Sequence, residues 1–277
     1  MSLTLVISPH LDDAVLSVGG SIAAWTAGGD RVVIATVFTD GPPIDEISPA
    51  MRAWSDFPAR RAEDARACAV VGAEACWLGH VERAFRRPFL SARACFTTPN
   101  DRAAFATLPA LTSSLATLDA LVPDRVLAPL GVGNHVDHVE VMIAVTDWAL
   151  ARGWRQRLAF YEDFYALSTT MRRAHSIARQ RSWGRWRSPL LRAPRLAAVL
   201  GSIALARRGP DATAFLAPQF ASGRWSAVAT PIEEERQIAA IAQYASQAMV
   251  FGGVAGITAA LRTYHEWWNG EPLWRAE

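Results

Sequence analysis

The first forty residues alternate strand-like and helix-like patterns, and this alternation limits the fold more than any other feature of the chain. Leu3 to Ile7 is an apolar run rich in β-branched residues, which predicts a buried strand. Ala14 to Ala27 has apolar residues at helical spacing before Gly28-Gly29, and Arg31 to Phe38 predicts a second strand. This order predicts two parallel strands joined by a right-handed crossover.

The same alternation continues to about residue 163. Helical patterns cover Arg60 to Val71, Arg102 to Leu121 and Val139 to Ala151, and strand patterns cover Ala75 to Leu78, Arg125 to Pro129 and Leu158 to Tyr161. We therefore predict an α/β fold with a Rossmann-like parallel sheet and helices on both faces. Residues 166–230 lack the alternation and are predicted to be an insertion or lid within one domain, 1–277. A further helix is predicted over Pro231 to Met249.

The composition is that of a globular protein and excludes a disordered chain. The 277 residues are 51% hydrophobic, and a formal net charge of +2 gives no bulk electrostatic reason to expect nucleic-acid or membrane binding. The three cysteines show no C-x-x-C spacing, which argues against a disulfide framework or a thiolate zinc site. We expect a cytoplasmic protein, because the N-terminus lacks the basic region of a signal peptide. The apolar run Leu196 to Ala206 is too short to span a bilayer.

Two polar clusters follow predicted strands and precede predicted helices. Ser8-Pro9 is predicted to end the first strand, and the cluster His10-Leu11-Asp12-Asp13 comes next. The second cluster, His135-Val136-Asp137-His138, lies between the strand at 125–129 and the helix at 139–151. Parallel strands end at one edge of a sheet, so the two clusters can converge there. Histidine and carboxylate ligands in this number suit a catalytic zinc ion with one position left for water.

The residue types also suggest a division of roles. Of Asp12 and Asp13, one can bind the metal while the other takes a proton from water, because adjacent residues at a helix start point in different directions. Of His135 and His138, one can ligate while the other donates a hydrogen bond to a developing oxyanion. An alternative is that Asp12, Asp13 and Asp137 only cap helices. A second is a non-catalytic Rossmann-like module that binds a sugar or nucleotide. The first βα turn, however, lacks G-x-G-x-x-G and places two carboxylates where a phosphate would bind.

The two clusters resemble the paired signature motifs of the PIG-L/LmbE-like family of zinc-dependent N-deacetylases. Weaker similarities are Arg60-x-x-Glu63, Tyr161-Glu162-Asp163 and Tyr244-x-Ser246-Gln247. The resemblance implies a hydrolase that removes the acetyl group from an N-acetylglucosamine-type sugar of a glycoside or glycoconjugate and releases acetate and a free amine. An amidase acting on a sugar-linked thiol conjugate is a near variant. Ala14 departs from the pattern, since many members have a glutamate there.

Carried over by motif position, the resemblance implies a role for each residue of the clusters. His10, Asp13 and His138 would hold Zn²⁺, although Fe²⁺ suits the same nitrogen and oxygen ligands. Asp12 would be the general base. His135 would stabilise the oxyanion or protonate the leaving amine, and Asp137 would orient a histidine.

Substrate contacts are predicted outside the clusters. Arg60 can bind sugar hydroxyls or a phosphate, and the alternative is an ion pair with Glu63. Asp163 is a candidate sugar ligand, and the alternative is a helix cap or salt bridge. Trp183, Trp186 and Trp225 could line a carbohydrate site, although tryptophan is also common in cores. The expected partner is a small N-acetylated sugar or glycoside and not nucleic acid, and a homo-oligomer is left open.

Overall fold

The structure, a computed structural model, describes residues 1–86, 92–184, 187–221 and 223–277. Within these ranges the chain forms seven strands in one sheet. They are β1 (Leu3–His10), β2 (Arg31–Asp40), β3 (Glu74–Val81), β4 (Arg125–Pro129), β5 (Leu158–Tyr161), β6 (Trp225–Thr230) and β7 (Glu271–Ala276).

The sheet order is β3-β2-β1-β4-β5-β7-β6, and the first five strands in this order are parallel. This confirms the predicted α/β fold with a mainly parallel sheet. The strand order reverses direction between β1 and β4, which is the place where doubly wound sheets bind ligands. The strands β6 and β7, which were not predicted, extend the sheet in antiparallel pairing.

The described helices alternate with the first five strands and then follow one another. They are α1 (Asp13–Ala27), α2 (Pro49–Arg52), α3 (Phe57–Val71), α4 (Ala92–Cys95), α5 (Leu108–Ala116), α6 (Val136–Ala151), α7 (Thr169–Ala174), α8 (Pro194–Ala206), α9 (Pro218–Ala221), α10 (Glu234–Ile241), α11 (Ala245–Val250) and α12 (Val254–Trp268). Right-handed crossovers place α1 and α3 on one face of the sheet and α6 on the other.

Several predicted boundaries were wrong for local reasons. β1 does not end at Ser8-Pro9 but runs to His10, since Ser8 and His10 pair with β2 on either side of the proline. The helix predicted over 102–121 is limited to α5, which begins next to Pro109, because a proline is tolerated in the first turn of a helix but not in its interior. The helix predicted over 231–249 divides into α10 and α11.

Helix α1 is kinked, and a residue from the last strand caps its second half. Val18 has φ −141° and ψ 21°, which interrupts the helical hydrogen bonding. The carboxylate of Glu271 in β7 accepts hydrogen bonds from the backbone N–H groups of Gly20 (3.2 Å) and Ser21 (2.7 Å). Glu271 is fully buried, and a carboxylate at this position suits the positive end of the helix dipole.

The region predicted as an insertion or lid contributes to the core as well. Residues 225–230 form β6, so this part belongs to the sheet. Arg172 is buried, donates two hydrogen bonds to Glu162 and lies over the ring of Trp183. Trp183 and Trp225 are both buried, so these two rings pack in the interior and do not line an open site, whereas Trp186 lies outside the described residues. None of the helices within the described ranges is long and apolar enough to cross a membrane.

Candidate active site

Two loops bring the polar clusters together at the carboxyl edge of β1 and β4. His10 is the last residue of β1, and Asp13 begins α1. The loop after β4 contains Gly131 (φ 80°), Gly133 (φ 98°) and Asn134 (φ 59°), so the backbone turns through left-handed conformations before α6. A Cβ on Gly133 would lie 2.8 Å from Cβ of Tyr165, which shows how closely this loop packs. The loop thereby places His135 and His138 beside His10.

Three potential ligand atoms converge on one point. His10 Nδ1 lies 3.0 Å from Asp13 Oδ2, His138 Nε2 lies 3.1 Å from the same oxygen, and the two nitrogens are 3.3 Å apart. Ligand atoms at about 2.1 Å from a tetrahedral metal ion lie about 3.4 Å from one another. The spacing of these three atoms therefore fits a divalent cation bound between them.

His135 is a second candidate for a ligand. The imidazoles of His10, His135 and His138 offer one nitrogen each within 4.8 Å of one another. Nδ1 of His135 is buried and has no hydrogen-bond partner among the described residues, so this atom has bonding capacity to spare. The trio with Asp13 is the more compact one, and it includes an anionic oxygen, so we favour it as the ligand set.

Buried carboxylates hold the ring nitrogens that point away from this centre. Asp137 Oδ2 lies 3.1 Å from His10 Nε2, and Arg86 donates a hydrogen bond to the other oxygen of Asp137. Asp163 Oδ1 lies 2.6 Å from His138 Nδ1. Because a carboxylate only accepts, His138 carries its proton on Nδ1 and can present the lone pair of Nε2 to a cation. This tautomer is the one that a metal ligand needs.

The sequence left two alternatives for Asp163, a sugar contact and a helix cap or salt bridge, and the structure shows a salt bridge. Its side chain is fully buried, with Oδ1 on His138 and Oδ2 accepting a hydrogen bond from the backbone N–H of Val132. Both oxygens are thus occupied by protein groups. Asp163 is thus placed to orient His138, as the salt-bridge alternative predicts, and its sugar contact stays a prediction.

Asp12 differs from its neighbour Asp13 in its surroundings. Its side chain makes no capping hydrogen bond, so the capping alternative is wrong for Asp12, and its carboxylate has no hydrogen-bond partner within the described ranges. Burial and the charge of Asp13 raise the pKa of Asp12 to about 7, against the opposing charges of Arg60 and His10. Burial would also raise the pKa of Asp13, but His138 and His10 hold it well below its ordinary value. The pair therefore offers one proton acceptor suited to neutral pH and one permanent anion.

The histidines differ in the same way. Burial alone would lower the pKa of His138, but Asp13 and Asp163 raise it to about 9. Burial, together with the charges of His10 and His138, lowers the pKa of His135 well below its ordinary value. The centre between Asp13 and His138 thus favours positive charge, while His135 is a neutral imidazole at neutral pH.

Arg60 is buried and pairs with a residue that sequence reasoning missed. Its Nη1 donates to Glu82 Oε1 at 2.5 Å, so the alternative of an ion pair with Glu63 was wrong. Glu63 instead accepts hydrogen bonds from the backbone N–H and hydroxyl of Ser246. Nε of Arg60 has no partner among the described residues, which leaves it a donor near Asp12. Glu82 directly follows β3, and its place at the carboxyl end of a strand was the signal that could have identified it.

The sequence comparison agrees with this geometry. Residues 5–149, more than half of the chain, match the sequence model of PIG-L, described as GlcNAc-PI de-N-acetylase. The chain belongs to this family. The matched region includes both polar clusters, and it ends before Asp163. Among curated proteins, none matches the chain.

Solved structures share the fold of this PIG-L family member over nearly its whole length. A deacetylase of the teicoplanin biosynthesis pathway is 20% identical with a TM-score of 0.68, covering 99% of this chain and 97% of that one. The A40926 pseudoaglycone deacetylase is 24% identical with a TM-score of 0.61, covering 99% and 96%. A conserved protein from Thermus thermophilus, TT1542, is 18% identical with a TM-score of 0.51, covering 100% and 94%. At these identities the likeness shows a common fold.

Proposed function

We propose that this protein is a metal-dependent hydrolase that removes the N-acetyl group from an amino sugar of a glycoside or glycoconjugate. The observation that carries the proposal is the convergence of His10 Nδ1, Asp13 Oδ2 and His138 Nε2 within 3.3 Å of one another, next to the carboxylate of Asp12. Membership of a de-N-acetylase family, and the fold shared with a deacetylase of teicoplanin biosynthesis and with the A40926 pseudoaglycone deacetylase, support the choice of an acetamide as the bond cleaved.

His10, Asp13 and His138 would hold the cation, and Zn²⁺ is our first candidate because it suits nitrogen and oxygen ligands in tetrahedral geometry. A bound Zn²⁺ would polarise the acetamide carbonyl and lower the pKa of water. Fe²⁺ suits the same donors. One crystal structure of a teicoplanin deacetylase is described as a zinc-inhibited form, so excess zinc has to be avoided in any assay of this chain.

The remaining residues would move the protons. Asp12, with its pKa near neutrality, takes a proton from the water whose oxygen attacks the acetamide carbon. Neutral His135 donates a hydrogen bond to the carbonyl oxygen as negative charge develops there. The C–N bond then breaks, the amine nitrogen receives the proton held by Asp12, and acetate and the free amino sugar are released. Arg60, fixed by Glu82, positions Asp12 through its charge.

The test is acetate release from a panel of N-acetylated sugars, glycosides, glycolipids and sugar-linked thiol conjugates, with metal content measured on the same samples. Asp12→Asn should keep the metal and lower turnover by about 10²- to 10⁴-fold, because the proton acceptor is lost. His138→Ala should lose the metal. Asp30→Asn is the matched control, since Asp30 bonds the backbone of Ser2 at the opposite end of β1, and it should retain full activity.

Each contrary result has a clear meaning. Normal turnover in Asp12→Asn would remove Asp12 as the base. Metal retained in His138→Ala but lost in His135→Ala would exchange the roles of the two histidines. Tight binding of a sugar without acetate release from any member of the panel would favour the non-catalytic binding module.

A further inference from the structure

The positive charge of this chain is concentrated in one segment. Residues 164–210 contain ten arginines and no aspartate or glutamate, whereas the remaining residues carry eight more acidic than basic side chains. The net charge of +2 therefore hides a strong asymmetry. Of these arginines Arg172 is buried against Glu162, and no other one in the described part of the segment forms an ion pair with a carboxylate. The hydrogen bonds of Arg181, Arg207 and Arg208 go to backbone carbonyls, so within the described residues no carboxylate neutralises these surface charges.

Part of this charge surrounds exposed leucines at α8. Leu191 is 59% exposed and Leu205 is 78% exposed, although both are large apolar side chains. Arg192, Arg195 and Arg208 are also exposed, and positions 195, 198, 202 and 205 recur at the spacing of one helix face. We call Leu191, Arg192, Arg195, Leu205 and Arg208 the arginine-leucine face. Helix α8 carries no charge between Arg195 and its end at Ala206.

Helix stability does not account for Arg192 and Arg195, whereas Arg208 donates hydrogen bonds to the carbonyls of Leu205 and Arg207 at the end of α8. Arg195 lies in the first turn of α8, where a positive charge opposes the helix dipole, and Arg192 lies two residues before Pro194, the first residue of the helix. On the opposite side of α8, Leu196 and Leu200 are buried in the core and anchor the helix to the protein. Because Leu196 and Leu200 face the core, Leu205 on the other side of the helix faces solvent.

The apolar surface continues past Arg195 into a groove, and the residues that follow α8 contact the candidate active site. A groove of about 460 Å³ runs along Arg195, and Met249 and Val254 are among the residues that line it. Met249 is 61% exposed. After α8, the carbonyl of Pro210 accepts a hydrogen bond from the side chain of Asn134, the residue before His135. The segment that follows the arginine-leucine face thus contacts the loop that carries His135 and His138.

We propose that the arginine-leucine face docks this protein on the surface of an anionic lipid bilayer. Arginines attract the negative lipid headgroups, and the exposed leucines enter the boundary between headgroups and acyl chains. Nucleic acid would use the arginines but leaves leucines without a partner, and a second copy of this face would bring like charges together. An anionic bilayer provides a partner for both components. This inference is independent of the proposed reaction.

The test is co-sedimentation of the full chain with vesicles of phosphatidylcholine alone or mixed with phosphatidylglycerol. Binding should require phosphatidylglycerol and weaken with salt, since each arginine near an anionic surface contributes about fivefold in affinity. Arg192→Glu with Arg195→Glu should lower the affinity by about 25-fold or more. The matched control is Arg66→Glu with Arg275→Glu, which changes the net charge equally at two exposed arginines on α3 and β7, and it should bind nearly as the natural protein does.

A further variant tests the apolar component. Leu205→Ser should weaken vesicle binding without changing net charge, and light scattering should show the same particle size for all variants. Equal binding by the Arg192→Glu, Arg195→Glu variant and its control would overturn the proposal, because net charge alone would then explain the loss of affinity. It would also be overturned by failure to bind phosphatidylglycerol vesicles, or by binding to a DNA duplex that depends on Arg192 and Arg195 but not on Leu205.

Discussion

Replacing Asp163 with asparagine tests whether this residue prepares His138 for the metal. Asp163 Oδ1 accepts from His138 Nδ1 at 2.6 Å, and Oδ2 accepts from Val132 N–H at 2.8 Å. An amide can accept at only one of these two positions. If its oxygen stays on Val132, its NH₂ group meets His138 Nδ1 and moves the imidazole proton to Nε2, the atom meant for the cation. If the amide group is flipped instead, its NH₂ group faces the backbone N–H of Val132, and two donors then oppose each other.

Either arrangement has a cost that can be estimated. A buried donor without an acceptor costs about 1–3 kcal/mol, which corresponds to roughly 5- to 150-fold in an equilibrium constant. Loss of a partner that orients a metal-binding histidine typically lowers metal affinity about 10- to 100-fold. We therefore expect Asp163→Asn to bind Zn²⁺ about 10- to 100-fold more weakly. The measurement is competition with a chromophoric chelator, with circular dichroism to confirm that the variant is folded.

Asp211→Asn is the matched control. Asp211 also accepts a backbone hydrogen bond, from Ser176 beside a buried histidine, but its side chain bonds neither of the two polar clusters. It should leave metal affinity unchanged. Unaltered affinity in Asp163→Asn would refute the orienting role. A raised KM with normal metal binding would return Asp163 to the substrate contact that its sequence position suggested.

Two further substitutions test the packing around the site. Arg172→Ala should lower the free energy of unfolding by about 3 kcal/mol in urea denaturation, because the buried carboxylate of Glu162 loses its cation. A loss near zero would show that the hydrogen bonds from Tyr264 and Trp274 are enough to satisfy Glu162. Gly133→Ala should lower turnover and thermal stability, by about 1–3 kcal/mol, since its φ of 98° and the contact with Tyr165 leave no room for a Cβ. Gly153→Ala has a similar positive φ but open space, so an equal loss of turnover there would contradict the explanation.

Local patterns were sufficient to predict the first five strands and the sheet edge at which the two polar clusters meet. Each of β1, β2 and β4 is mainly apolar. β1 and β2 end in His10 and Asp40, and a short glycine-containing loop leads from β4 to Asn134 and His135 at the same sheet edge. The convergence of His10 and His138 follows from that topology, because parallel strands bring their ends together whatever the length of chain between them. The assignment of ligands among neighbouring carboxylates and histidines stays a prediction to be tested on the protein.

Contacts between distant segments could not be predicted in this way. β6 and β7 are short, β7 contains Pro272, and their antiparallel pairing is decided by a partner about 45 residues away in sequence. Asp163 is held by a hydrogen bond with His138, and Arg60 is held by an ion pair with Glu82. Neither contact produces a periodic pattern in the sequence. Ser246 and Glu63 are separated by 183 residues, so their hydrogen bond explains two weak sequence similarities that the sequence alone left unconnected.

The hydrogen bonds from Gly20 and Ser21 to Glu271 limit how far the chain can be truncated from its C-terminus. A fragment containing only residues 5–149 would include all of His10, Asp13 and His138, yet it would lack both the carboxylate on Gly20 and Ser21 and the one on His138. Two backbone donors in the helix that begins with Asp13 would then have to find water in an apolar surrounding. We expect such a minimal catalytic fragment to be inactive, and the final strand to be as necessary for hydrolysis as the motifs near the N-terminus.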